Sequence, residues 1–252
     1  MIKTKTLILV LVSTLTLTLS TKESNSHPTL SSKLQQQISY NSPAARQREQ
    51  QLEHGWDQVH WPSKLQYDHG SKKESDHYTN KKGIETFTAQ RDGGPFKPGS
   101  KTNSRSERRI ENDYDSSHQP QQFSADFRVP KGTDSVAIMQ IFGGNRSYNK
   151  KNPHSTSFMF QVHNNDLTYY KNRILAKDIT GKWEHMNVIH DPKSHQIQAY
   201  LNGQEVWHGR DKGHDVHFIK YGAYGQGGIE DMSPTMRSQF KNVKYFVKPR
   251  RR

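Results

Sequence analysis

Not one cysteine occurs in the 252 residues, so no disulfide, thiolate metal site or thiol nucleophile is available, and burial and strand pairing must hold the fold. Apolar residues are scarce too. Only 30% of the chain is hydrophobic, which excludes a multi-spanning membrane protein and means that some stretches belong to no core. Acidic residues fall short of basic ones, 24 Asp+Glu against 37 Lys+Arg, leaving a formal charge of +13. At this length and composition one large all-β domain fits better than two small ones.

Long hydrophobic runs are confined to the first twenty residues. Lys3 and Lys5 precede a stretch from Leu7 to Leu19 that is rich in Leu, Ile and Val but diluted by Ser and Thr, and Thr18-Leu19-Ser20 ends on residues small enough for cleavage. Residues 1–20 read as a secretory signal peptide, since a membrane anchor needs about 17–25 apolar residues. The expectation is a protein that is secreted, extracellular or in the cell wall, with no membrane association after leader removal and a mature charge near +11 (13 − 2). Residues 21–50 are Ser, Gln, Lys and Asn with almost no large apolar groups, a disordered linker or pro-segment. Residues 51–252 then form a single domain with its core over 83–248. Ser63 to Lys82, crowded with Lys, His and Asp, reads as a long loop or poorly ordered insertion. Asn145-Arg146-Ser147 is a glycan acceptor sequon.

From Gly83 the period becomes two. Phe123, Ala125, Phe127 and Val129 alternate with Ser124, Asp126 and Arg128 before Pro130-Lys131-Gly132-Thr133 turns the chain. Further strands are expected over 135–142, 157–163, 166–170, 183–190, 196–201, 205–208, 217–226 and 240–248, with a hairpin at Asn202-Gly203. Short strands at this spacing, without a convincing amphipathic helix, give an all-β, two-sheet jelly-roll sandwich of concanavalin-like type with a polar concave cleft.

Three strands carry chemistry. In Arg105-Ser-Glu-Arg-Arg109, residues Arg105, Glu107 and Arg109 share one face, a charge stripe that an apolar core would reject, so it lines a polar cleft or an exposed sheet face. In Lys220-Tyr-Gly-Ala-Tyr224-Gly-Gln226 the same rule aligns Lys220, Tyr224 and Gln226, with Gly222 leaving a gap where something can approach. That combination suits an anionic sugar, and equally a strand with one wet face. Gln140, inside the apolar run Met139 to Phe142, is either a structural hydrogen-bonder or a cleft residue.

Taken in order, these segments resemble the three signature strands of alginate-lyase-type jelly rolls, R-[S/T]-E-L-R, Q-[I/V]-H and Y-F-K-A-G-x-Y-N-Q. The chain is most similar to the branch of plant citrate-binding proteins, similar in turn to glucuronan lyases, over about Gly83 to Val247, including Pro95-Phe-Lys-Pro-Gly-Ser100, Asp166-Leu-Thr-Tyr-Tyr170 and Asn187-Val-Ile-His-Asp191. The resemblance implies β-elimination on a uronic acid polymer. Arg105, Gln140 and Lys220 would hold the substrate carboxylate and Tyr224 would protonate the leaving oxygen, with Arg109 and Glu107 as a paired support and Gln226 as a further substrate contact. Three departures stand out. Phe142 replaces the family's His, Arg108 an apolar residue, and Gly225 an Asn. With that His gone, Tyr224 would act as both base and acid if neighbouring cations lower its pKa, or His163 would supply an imidazole from the next strand.

The 14 histidines show no metal-ligand spacing; His185 and His190 lie on opposite strand faces and read as solvated or locally hydrogen-bonded. No metal and no cofactor are expected. Lys248 with Arg250, Arg251 and Arg252 forms a basic tail suited to a polyanion, and nothing resembles a nucleic-acid-binding motif. The expected function is a secreted, monomeric polysaccharide lyase acting on an acidic polysaccharide or oligosaccharide of glucuronan or alginate type. Alternatives are a non-catalytic binder of citrate-like carboxylates or acidic cell-wall glycans, and a structural wall protein held by its basic surface.

Overall fold

Turn chemistry sets the hairpins. Asn202 and Gly203, with φ of 50° and 74°, join the strands β12 (Gln196–Leu201) and β13 (Gln204–Arg210). Asn164 and Asn165, at 51° and 68°, do the same for β8 (Thr156–His163) and β9 (Asp166–Tyr169). In the computed structural model, which describes residues 37–70, 73–143, 156–212 and 216–250, fifteen strands form two antiparallel sheets. The remaining strands are β1 (Asp57–Val59), β2 (Ser63–Tyr67), β3 (Tyr78–Lys81), β4 (Ile84–Gln90), β5 (Arg105–Ile110), β6 (Gln121–Arg128), β7 (Val136–Gly143), β10 (Arg173–Ala176), β11 (Trp183–Asp191), β14 (His217–Gly225) and β15 (Thr235–Val247). One sheet runs β13-β12-β11-β6-β15-β4-β3, with β1 also on β15. The other runs β10-β9-β8-β7-β14-β5-β2. The fold is the expected jelly-roll sandwich.

The core is aromatic and aliphatic. Phe87, Phe123, Phe127 and Phe240 from the first sheet meet Ile138, Ile141, Phe158, Phe160 and Tyr221 from the second, and Phe87 packs edge-on against Tyr221 with ring centroids 5.4 Å apart. Burying these rings and branched side chains, at about 1.5–3 kcal/mol each, is what stabilises a chain without disulfides.

Two expectations need correction. Ser63 to Lys82 is not one long loop: β2 pairs with β5 and β3 with β4. Both are edge strands whose identity comes from their partners' unpaired backbone groups rather than from their own alternation. Residues 43–50 are not a disordered linker either, because Pro43–Glu53 is a helix, α1, capped by Ser42 Oγ accepting from the Ala45 amide with Pro43 in the first turn. Its single buried residue is Ala45, so no apolar stripe marked it. It lies on the outer face of β6 and β15: Ser124 Oγ donates to Glu53 Oε1 at 2.7 Å, Lys244 Nζ sits 2.9 Å from Glu53 Oε2, and Tyr40 OH, just ahead of the helix, donates to Asp126 Oδ2 at 2.9 Å. Ser124 and Asp126, on the outward side of the β6 alternation, are therefore buried too, while Arg128 at its end is half-buried. Residues 1–36, which include the expected signal peptide, together with Asn145, Arg251 and Arg252, lie outside the described residues.

Candidate functional site

β5, β14 and β7 are neighbours in the second sheet, and register brings the three motifs together. Tyr224 pairs with Arg105, Gly222 with Glu107, and Lys220 with both Arg109 and Gln140. Around the Arg105, Arg109 and Lys220 side chains opens a cavity of about 400 Å³, walled by Phe142 and Phe218 and by the loop carrying Phe96, Lys97 and Ser100. Lys97, Arg105, Arg109 and Lys220 all line it, and among the described residues no carboxylate does.

The carboxylate sits underneath. Glu107, 1% exposed, receives Gln140 Nε2 at 2.5 Å on Oε1, while its Oε2 lies 3.3 Å from Arg105 Nη1 and 3.8 Å from Lys220 Nζ. It is thus a buried anchor for three site residues rather than a substrate contact, and it is not paired with Arg109 as expected. Arg109 bonds Asp113 and lays its guanidinium over the Phe218 ring, 4.0 Å from the centroid. Gln140, 2% exposed, spends its amide donor on Glu107. The Arg105 guanidinium covers the Tyr224 ring at 4.0 Å.

Electrostatics separate the two groups able to move a proton. Burial pulls Lys220 down to about 8, helped by Arg105, Arg109 and Lys97 and opposed by Glu107. Burial pushes the Tyr224 phenol above its ordinary value despite Arg105 beside it. The expected lowering of Tyr224 is therefore overturned: desolvation outweighs the neighbouring cation. The phenol stays protonated, an acid rather than a base.

Other expectations shift as well. The gap at Gly222 admits no ligand. With φ of 144°, a Cβ there would stand 2.3 Å from the Ser106 carbonyl oxygen and 2.7 Å from Glu107 Cα, so the glycine lets β5 approach β14. His163 does not replace the missing imidazole. The β8 residue facing Gln140 is Met159, and His163 sits four residues away, bonded to Gln161 Oε1 at 2.7 Å and Ser135 Oγ at 3.3 Å. Gln226 accepts from Gln161 Nε2 at 3.1 Å and donates to the Gly225 carbonyl, bracing the end of β14 away from the cavity. Phe142 stacks on Phe218 with centroids 5.0 Å apart, an apolar shelf where the family carries imidazole. Arg108 points to the other side of β5, where it bonds Glu85 Oε1 at 2.6 Å and Tyr78 OH at 2.6 Å. His185 and His190 do lie on opposite faces, and of the two readings offered for them the hydrogen-bonded one holds: both are buried, His185 Nδ1 2.7 Å from Asp126 Oδ1 and His190 Nε2 3.0 Å from Asp211 Oδ2. Of the cavity residues that sequence reasoning left unassigned, Phe96, Lys97 and Ser100 belong to the Pro95–Ser100 segment noted above for its resemblance only, whereas Gln66, Thr102 and Phe218 lie outside it.

Comparison with known proteins places the chain in a family and a fold. Residues 30–247 match the family described as alginate lyase. A citrate-binding protein of Hevea brasiliensis is 36% identical over 172 residues, covering 68% of each chain. Among solved structures, the alginate lyase of a Corynebacterium species superposes with a TM-score of 0.57 at 13% identity, over 73% of this chain and 92% of that one. A family 7 alginate lyase solved in complex with substrate gives the same TM-score and identity over 75% and 94%. With the family match spanning residues 30–247 and a relative 36% identical over two thirds of the chain, the chain belongs to the alginate lyase family.

Proposed function

We propose that the protein is a secreted lyase that cleaves a polyuronate of glucuronan or alginate type by β-elimination. The observation that carries this reading is the cavity lined, among the described residues, by four cations and no acid, beside the strands that bear the family's three motifs. Arg105 and Arg109 neutralise the substrate carboxylate, stabilising the enolate-like charge that develops on it when the C5 proton leaves. Lys220 takes that proton. With its pKa near 8, roughly a tenth of it is free amine at pH 7 and most of it is at pH 9. The electron pair forms the C4–C5 double bond and expels the 4-O oxygen, which Tyr224 protonates. Phe142 and Phe218 offer an apolar wall to the sugar ring.

Incubation with glucuronan, polymannuronate, polyguluronate and pectate, followed at the unsaturated-uronate absorbance band, tests the reading. Turnover on one of them, rising with pH through about 8, is expected, and silence on all of them refutes it. Tyr224→Phe should lose turnover by orders of magnitude while retaining affinity.

A second reading, a non-catalytic binder of small polycarboxylates or acidic glycans, is favoured by Phe142 in the imidazole position and by the Hevea relative's name. It predicts binding without an absorbance change, and a Tyr224→Phe loss limited to about 0.5–1.5 kcal/mol of affinity.

A further inference from the structure

On the buried side of β14, one residue before the cavity wall Phe218, three side chains from separate segments converge. His190 of β11, Asp211 after β13 and His217 at the start of β14 place one ligand atom each within 4.8 Å of one another, and the three side chains are at most 2% exposed. His190 Nε2 lies 3.0 Å and His217 Nε2 3.9 Å from the same Asp211 oxygen, Oδ2. The two imidazole planes stand nearly perpendicular, at 81°, so their nitrogens aim inward rather than stack. Two supporting groups are in place. Tyr114 OH is 3.0 Å from His190 Nδ1, the ring nitrogen that points away from the carboxylate. His195 Nδ1 reaches both Asp211 oxygens at 3.1 and 3.2 Å from the solvent side.

We propose that His190, Asp211 and His217 are a binding site for a zinc-like divalent cation that staples the two sheets together. Neutral imidazole nitrogens and one carboxylate oxygen are the donor set such a cation prefers, whereas calcium or magnesium takes oxygen alone. Tetrahedral bonds of about 2.0–2.1 Å put ligand atoms about 3.3 Å apart, inside the spread already present. Tyr114 then accepts from His190 Nδ1–H, fixing the tautomer that leaves Nε2 free to ligate, and His195 orients Asp211 and provides the route to solvent. β11 belongs to one sheet and β14 to the other, so the cation cross-links the layers in a chain that has no disulfide to do so. No spacing rule reveals the site, because its residues are 21 and 6 positions apart and meet only through the sheet topology.

The test uses the purified full chain stripped with a chelator and dialysed, with Zn²⁺ alone as probe. The expected result is one Zn²⁺ retained per chain after gel filtration. At a hundredfold excess over the Kd, Tm should rise by about 5–10 °C, reversed by EDTA and not reproduced by Ca²⁺. Asp211→Asn should abolish retention and His195→Ala weaken it roughly 10–100-fold. His208→Ala, altering an exposed histidine, should change nothing. If Asp211→Asn does not fold, the half-exposed His195→Ala decides. Absence of retained Zn²⁺ in the unaltered chain overturns the proposal. So does retention undiminished in Asp211→Asn or His195→Ala, which would place the ion on surface histidines.

Discussion

Glu107 Oε2, beneath the cavity floor, lies 3.3 Å from Nη1 of the lining Arg105, and both side chains are more than nine-tenths buried. One carboxylate thus serves two cations, Arg105 and Lys220, and holds Gln140 as well. Replacing it by an isosteric amide strands both charges. Glu107→Gln should cost about 3–5 kcal/mol in denaturant unfolding and carry the Lys220 pKa further down, since Glu107 is the group that raises it. A loss below about 1 kcal/mol would show that the anchor is not structural.

Arg105 and Gln140 grip opposite oxygens of that carboxylate, so their effects on acidic-ligand affinity should be coupled. Removing either frees Glu107 to reorganise towards Lys220. Arg105→Ala with Gln140→Ala should cost less affinity than the sum of the singles. Strict additivity in calorimetric titration would contradict the shared anchor.

Lys220 and Lys212 both have pKa values lowered to about 8 by burial, against an ordinary 10.5. Between those values the unfolded chain binds more protons than the folded one, so stability rises with pH across that window. Above about 10 the buried tyrosines, whose pKa values are raised, act in the opposite sense. Melting temperature measured from pH 8 to 9.5 should therefore increase, and Lys220→Met should flatten part of that increase. An unchanged slope in the variant would mean that Lys220 is not desolvated.

Arg108 and Glu85 form a network with Tyr78 and Tyr221, whose hydroxyl donates to Glu85 Oε2 at 2.7 Å. Arg108→Leu leaves the Glu85 carboxylate with phenols alone and should cost about 1–3 kcal/mol. Adding Glu85→Leu should recover much of that, because two matched apolar groups bury without a stranded charge. A double variant as unstable as the single would show that the network is more than a local pair.

The strands that alternate or run apolar, such as β6, β7 and β12, were legible because their own side chains pay the cost of ordering. β2 and β3 were not, since their pairing is dictated by β5 and β4. α1 escaped because it docks through Tyr40, Glu53 and Lys244 instead of an apolar stripe. At the cavity, period two aligned Arg105, Glu107 and Arg109 on β5 and Lys220, Tyr224 and Gln226 on β14, but it could not say which of them would be buried. Depth separates the anchor Glu107 from the lining Arg105 and Lys220, and depth depends on the loop carrying Phe96 and Lys97. The balance between desolvation and charge at Tyr224 is likewise a property of the packed site. The pairing of His190 with Asp211 is set by topology alone.

The docking of α1 fixes a direction for the whole molecule. The helix rests on the outer face of the sheet that holds β6 and β15, while the cationic cavity opens on the outer face of the opposite sheet. A chain attached to a bead or a sensor chip through a group on α1 therefore turns its cavity towards the solution.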